Sequence, residues 1–66
     1  MWNNMVYVVI DEQNNVLVTQ NSEEVDKFLK SKDGVYYMIV KNGNYVVSEM
    51  YQTYGKKTYR IDSKIM

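Results

Sequence analysis

Between Tyr54 and Lys64 two tyrosines interleave with four basic residues and a single acid. Sheet surfaces hold single-stranded nucleic acid by this combination, stacking bases on aromatic faces and attracting the phosphate backbone with positive charge. Tyr54, Lys56, Lys57, Tyr59 and Arg60 are the residues that would do it. An edge strand guarded by Lys and Arg, with Tyr59 packed inward, yields the same letters for structural reasons. Eight basic residues balance eight acidic ones, so the usual electrostatic footprint of a nucleic-acid binder is missing. This reading therefore ranks second.

Catalytic chemistry has less to stand on. The chain contains no Cys and no His, which removes disulfides, thiolate or imidazole metal sites, and nucleophiles or bases built on those groups. Paired carboxylates occur at Asp11-Glu12 and Glu23-Glu24. The first pair borders a turn and the second falls in the first turn of a helix, where acids are ordinary. There is no Gly-rich phosphate loop and no metal-ligand spacing. A chain of 66 residues also leaves little volume for a substrate pocket. Neither catalysis nor a cofactor is expected.

That length provides one domain and one core. Such a domain buries only about 60% of the surface its unfolded chain exposes. Small domains are often reinforced by disulfides, metals or oligomerisation, and here oligomerisation is what remains. Residues 1–33 carry six acids against three bases, and residues 34–66 two acids against five bases. Two oppositely charged halves that attract each other account for this. The start, Met1 to Asn4, has no basic stretch, and the longest apolar runs, Met5 to Ile10 and Val35 to Val40, have six residues. Both are too short for a membrane span or a signal-peptide core, so a cytoplasmic location without membrane contact is expected. Ala and Pro are absent and seven Lys accompany one Arg, the bias of an AT-rich genome. A low-GC bacterium, or a phage or prophage within one, fits that bias.

Turn signals divide the chain into ββαβββ. Met5 to Asp11 is rich in β-branched and aromatic residues and reads as a strand. Gln13, Asn14 and Asn15 turn the chain, and Val16 to Gln20 returns. Asn21 or Ser22 caps a helix with Glu23 and Glu24 in its first turn. Val25, Phe28 and Leu29 form its apolar stripe, with Glu23–Lys27 and Asp26–Lys30 as i,i+4 pairs and Gly34 as the stop. Val35 to Lys41 is the third strand, Asn42-Gly43 a hairpin turn, and Asn44 to Tyr51 the fourth strand. Tyr54, Gly55 and Lys56 turn into a fifth strand from Lys57 to Asp62, extending towards Ile65. Trp2 would cap the end of the core.

A two-residue turn at Asn42-Gly43 pairs Lys41 with Asn44 and Val40 with Tyr45. One face then carries Val35, Tyr37, Ile39, Val46 and Met50; the other carries Tyr36, Met38, Val40, Tyr45, Val47 and Tyr51. Both are apolar, as are both sides of Met5 to Ile10. In the fifth strand Tyr59 and Ile61 alternate with Thr58, Arg60 and Asp62. Strands apolar on both sides belong in the middle of a sheet. The expected fold is α+β: a five-stranded antiparallel sheet of order 2-1-3-4-5 with one short helix on one face.

A helix with three apolar side chains covers one face and leaves the other open. Large exposed apolar patches mark interaction surfaces. The open face could curl shut, pair with a second copy, or dock another protein. The expected function is a small non-catalytic protein-binding module, a phage- or prophage-type regulator or inhibitor of a host protein, that self-associates as a homodimer. Tyr36, Met38, Val40, Tyr45, Val47 and Tyr51 are the expected interface, with the three tyrosines as anchors. The alternatives are the single-stranded nucleic-acid binder and a purely structural assembly subunit.

Overall fold

The structure, a computed structural model, describes residues 5–65; Trp2 lies outside them. The elements are β1 (Met5–Asp11), β2 (Val16–Thr19), α1 (Ser22–Leu29), β3 (Gly34–Asn42), β4 (Tyr45–Tyr54) and β5 (Lys57–Ile65). The strands form one sheet of order β2-β1-β3-β4-β5 in which every neighbouring pair is antiparallel. This is the α+β fold that the sequence predicts.

Each turn has a local cause. Between β1 and β2, Asn14 takes a φ of 64°, which Asn tolerates. The Asp11 carboxylate holds the turn from inside: its Oδ1 accepts from the Gln13 and Asn15 amides at 2.8 and 2.9 Å. The Asn15 side-chain amide donates to Asp11 Oδ2 at 2.9 Å. Between β3 and β4 the central residues are Gly43-Asn44, one position later than Asn42-Gly43, so Asn42 pairs with Tyr45. Gly43 alone of the two has positive φ, 61°, and Gly at the first central position suits a type II′ turn. This displacement moves the register by two residues, so every side chain keeps its face.

The β4–β5 turn places both Gly55 (φ 53°) and Lys56 (φ 70°) in left-handed backbone. Lys56 is an L-residue without a short polar side chain, so it is strained there. Lys56→Gly is therefore expected to stabilise the fold by about 0.5–1 kcal/mol, the relief of strain exceeding the entropy of an added glycine. A rise in the urea midpoint would show it. The same turn is tied across the molecule by the Gly55 amide, which donates to Asp33 Oδ1 at 2.9 Å.

In α1 the N-cap is Asn21, whose Oδ1 accepts from the Glu23 amide at 2.9 Å. Asp26 and Lys30 pair at 2.9 Å on the solvent side. The helix ends well before Gly34: Ser31 turns its hydroxyl back to the Phe28 carbonyl at 2.7 Å, a local bond that competes with another helical turn. Gly34 instead opens β3.

Val25 and Leu29 of α1 are buried with Val9, Tyr36 and Met38, and Tyr7, Leu17, Phe28, Val40 and Tyr51 pack around them. The helix lies closest to β1 and β2. It therefore covers the face of Tyr36 and Met38, the face read above as the open one. Alternation separates two apolar sets but leaves undecided which of them the helix takes.

Candidate binding face

On the side away from α1, the pairing gathers Val6, Val8 and Ile10 of β1 with Val16 and Val18 of β2. It continues through Val35, Tyr37 and Ile39 of β3 to Val46 and Met50 of β4. No described element lies over them. Val16 and Val18 are 57% and 64% exposed, an unusual state for valine on a strand, and Tyr37 is also exposed. The polar group set among them is satisfied: Ser48 is buried, and its hydroxyl donates to Tyr37 Oη. Charge is confined to the margin, at Lys41 beside the β3–β4 hairpin and along β5. An uncharged centre with a polar rim is how protein interfaces are built.

At β5 the alternation breaks. Tyr51 pairs with Arg60 and Met50 with Asp62, leaving Ile61 as a bulge residue without an opposite. Beyond the bulge the faces exchange. Asp62 and Lys64 join Lys57 and Tyr59 on the helix-free side, where alternation alone would put Asp62 with Arg60.

The six residues expected to form the interface divide by depth. Tyr36 and Met38 are core, 1% and 6% exposed, so neither is available to a partner. Val40, Val47 and Tyr51 are half-buried on the helix side, and Tyr45 is exposed there. The Tyr51 hydroxyl donates to Glu49 Oε2, and Arg60 approaches Glu49 Oε1 at 3.9 Å. Burial first, then the Glu49 hydrogen bond and charge, push the Tyr51 phenol up to about 12, with Arg60 opposing. An ultraviolet titration is expected to show a phenol ionising near that value. Glu49→Gln should bring it partway down, because desolvation, the largest cause, remains.

The residues of the nucleic-acid reading are also separated. Tyr54 and Tyr59 stand together, ring centroids 6.5 Å apart, and both are exposed. Lys56 is in the adjoining turn and Lys57 pairs with Tyr54. Arg60 is on the opposite face, turned to Glu49.

Among the described residues no group of three or more acidic side chains could hold a metal ion. A polar notch of about 40 Å³ lies between Asp11, Gln13, Lys32 and Tyr36, room for water but not for a substrate. Lys32 Nζ reaches Asp11 Oδ2 at 3.1 Å across it.

The exposure of Val16, Val18 and Tyr37 is not legible from the sequence pattern. The signal that could find them is topological. β2 and β3 are both antiparallel to β1, so α1 is a crossover between parallel strands, for which one hand is strongly favoured. That rule selects a side of the sheet, but translating it into residue parity requires the β1–β3 register, which no local turn sets.

The fold and this face define a class: a small α+β domain with an open antiparallel sheet, one side closed by a helix and the other apolar and uncovered by any described element. No protein-family model matches the chain, and neither a curated protein nor a solved structure does.

Proposed function

We propose that the chain is a small non-catalytic protein-binding module whose working surface is the helix-free face of the sheet. The observation that carries this reading is the exposure of the adjoining Val16 and Val18, with Tyr37 exposed across Ile10 on the same side, on a surface without central charge. Exposed apolar side chains that adjoin one another on a folded domain gain most by covering each other with a partner. A regulator or inhibitor of a host protein, acting in the cytoplasm of a low-GC bacterium or carried by its phage, is the role that suits such a module.

Photo-crosslinking tests the surface. A benzophenone amino acid at Val18 or Tyr59 is expected to trap discrete protein adducts in cells expressing the chain, and one at Tyr45 is not. Adducts from Tyr45 alone, or from no position, would refute the reading.

A second reading rests on the Tyr54–Tyr59 pair beside Lys56 and Lys57. A strand of unpaired bases could stack there, with weak, salt-sensitive affinity. Fluorescence anisotropy with labelled oligonucleotides at low salt tests it. Binding lost in Lys56→Glu/Lys57→Glu supports it, and no binding by the unmodified chain removes it.

A further inference from the structure

We infer that the helix-free face receives another protein whose contact surface is apolar and carries acidic side chains at its margin, over the β3–β4 hairpin end and β5; this rests on the binding reading above and names the chemistry of the partner. Pairing across the sheet fixes where charge sits on this side. The block of Ile10, Tyr37, Ile39 and Met50 carries none. Lys41 follows at the hairpin end, between Val6 and Val46. Lys57 and Lys64 stand on β5, opposite Tyr54 and Ser48. The opposite margin, Val16 and Val18 of β2, is uncharged.

These three lysines are exposed, and among the described residues none of them belongs to an ion pair. The cations that do find acids are Lys30, Lys32 and Arg60, none of them on this face. Two acids border it, and each turns a carboxylate oxygen to a backbone amide. Asp62 Oδ1 accepts from Ser63 at 2.9 Å and Glu12 Oε1 from Val35 at 3.2 Å. Lysines left without acids beside an apolar surface favour a partner that brings carboxylates to the rim and repel one that brings cations. The apolar centre supplies the affinity, and the rim sets orientation and choice of partner.

The same charges disfavour other occupants. A two-fold contact sets a patch on its own copy, so a second copy would offer these three lysines only the Asp62 carboxylate. A nucleic acid brings phosphates, but its bases stack on aromatic faces and leave Val16, Val18 and Ile39 without a counterpart. An anionic bilayer attracts cations on every side of an apolar patch, and here the β2 side has none.

The test selects binders of the purified chain from a bead library of random linear peptides, keeping those that lose affinity for Val18→Gln. That substitution is neutral, so it does not itself select for peptide charge, and Val18 is exposed on an edge strand, where the change costs the fold little. Val16→Gln serves in its place should Val18→Gln fail to fold. The retained peptides are expected to be apolar, with Asp and Glu in excess over Lys and Arg. Their dissociation constants should rise about tenfold for Lys41→Glu/Lys64→Glu, and selection on that variant should favour Lys and Arg instead. Val18-dependent peptides without an acidic excess, or indifferent to the lysine reversal, overturn the inference and leave the binding reading standing. A library without any Val18-dependent peptide also overturns it, and the photo-crosslinking above then decides the binding reading by itself. Two further results remove the acidic partner: a homodimer in light scattering that Val18→Gln disperses, and Val18-dependent cosedimentation with phosphatidylglycerol vesicles.

Discussion

Tyr36→Ala is expected to leave the chain largely unfolded at room temperature, whereas Tyr36→Phe remains folded and loses about 1 kcal/mol, the worth of one hydrogen bond. Tyr36 is 1% exposed at the middle of the core. Phe28 of α1 meets its ring edge-on with centroids 5.5 Å apart. Its hydroxyl donates to the Lys32 carbonyl at 3.0 Å, a carbonyl that also accepts from Thr53 Oγ1 at 2.9 Å. One side chain thus joins helix, sheet and the connection between them. Truncating a buried aromatic costs about 3–5 kcal/mol. At about 0.05–0.15 kcal/mol per residue, a domain this small has a total stability of about 3–10 kcal/mol. The loss is of the same size as the whole. Urea unfolding of the two variants measures the contrast.

Acid sensitivity is the second large effect, and it centres on Asp11. The carboxylate is 6% exposed and is held well below the usual carboxylate range. The Asn15 side-chain amide is the largest cause; burial opposes it, and the Asn15 backbone amide, Lys32 and the Gln13 amide add to it. Because its folded-state pKa is depressed, Asp11 contributes stability that is complete above the ordinary Asp value of about 4 and fades as pH falls below it. Native stability should therefore fall between about pH 4 and pH 2. Asp11→Asn should flatten that part of the pH profile. At neutral pH it should lower Tm by more than about 4 °C, since it turns an amide towards the donors of Asn15 and Lys32. Asn15→Ala is expected to reduce the acid sensitivity more than Lys32→Ala. Thermal melts at a series of pH values check all three.

Local chemistry made most of this fold legible. Gly43 and Gly55 mark their hairpins, Asn21 caps its helix, and the doubly apolar stretches Met5 to Ile10 and Val35 to Val40 occupy the centre of the sheet. Even an error of one residue in the Gly43 turn kept each side chain on its face, because register slipped by two. The surface was harder to read. Tyr36 and Tyr37 are adjacent and chemically identical, yet one is core and the other faces outward. The difference is the side on which α1 lies, a property of the crossover and not of either residue. The bulge at Ile61 was equally hidden, since Tyr59 to Lys64 contains no Gly or Pro to announce it. Asp62 consequently changes sides.

Hydroxyl-radical footprinting tests most directly whether the helix-free face is the working surface. Oxidation rates at Tyr37, Tyr59 and Tyr45, all exposed in the single chain, would be compared between the dilute purified chain and cells expressing it. The rates at Tyr37 and Tyr59 should fall several-fold in cells while that at Tyr45 stays the same. Protection of Tyr45 alone, or unaltered rates at Tyr37 and Tyr59, would contradict the assignment.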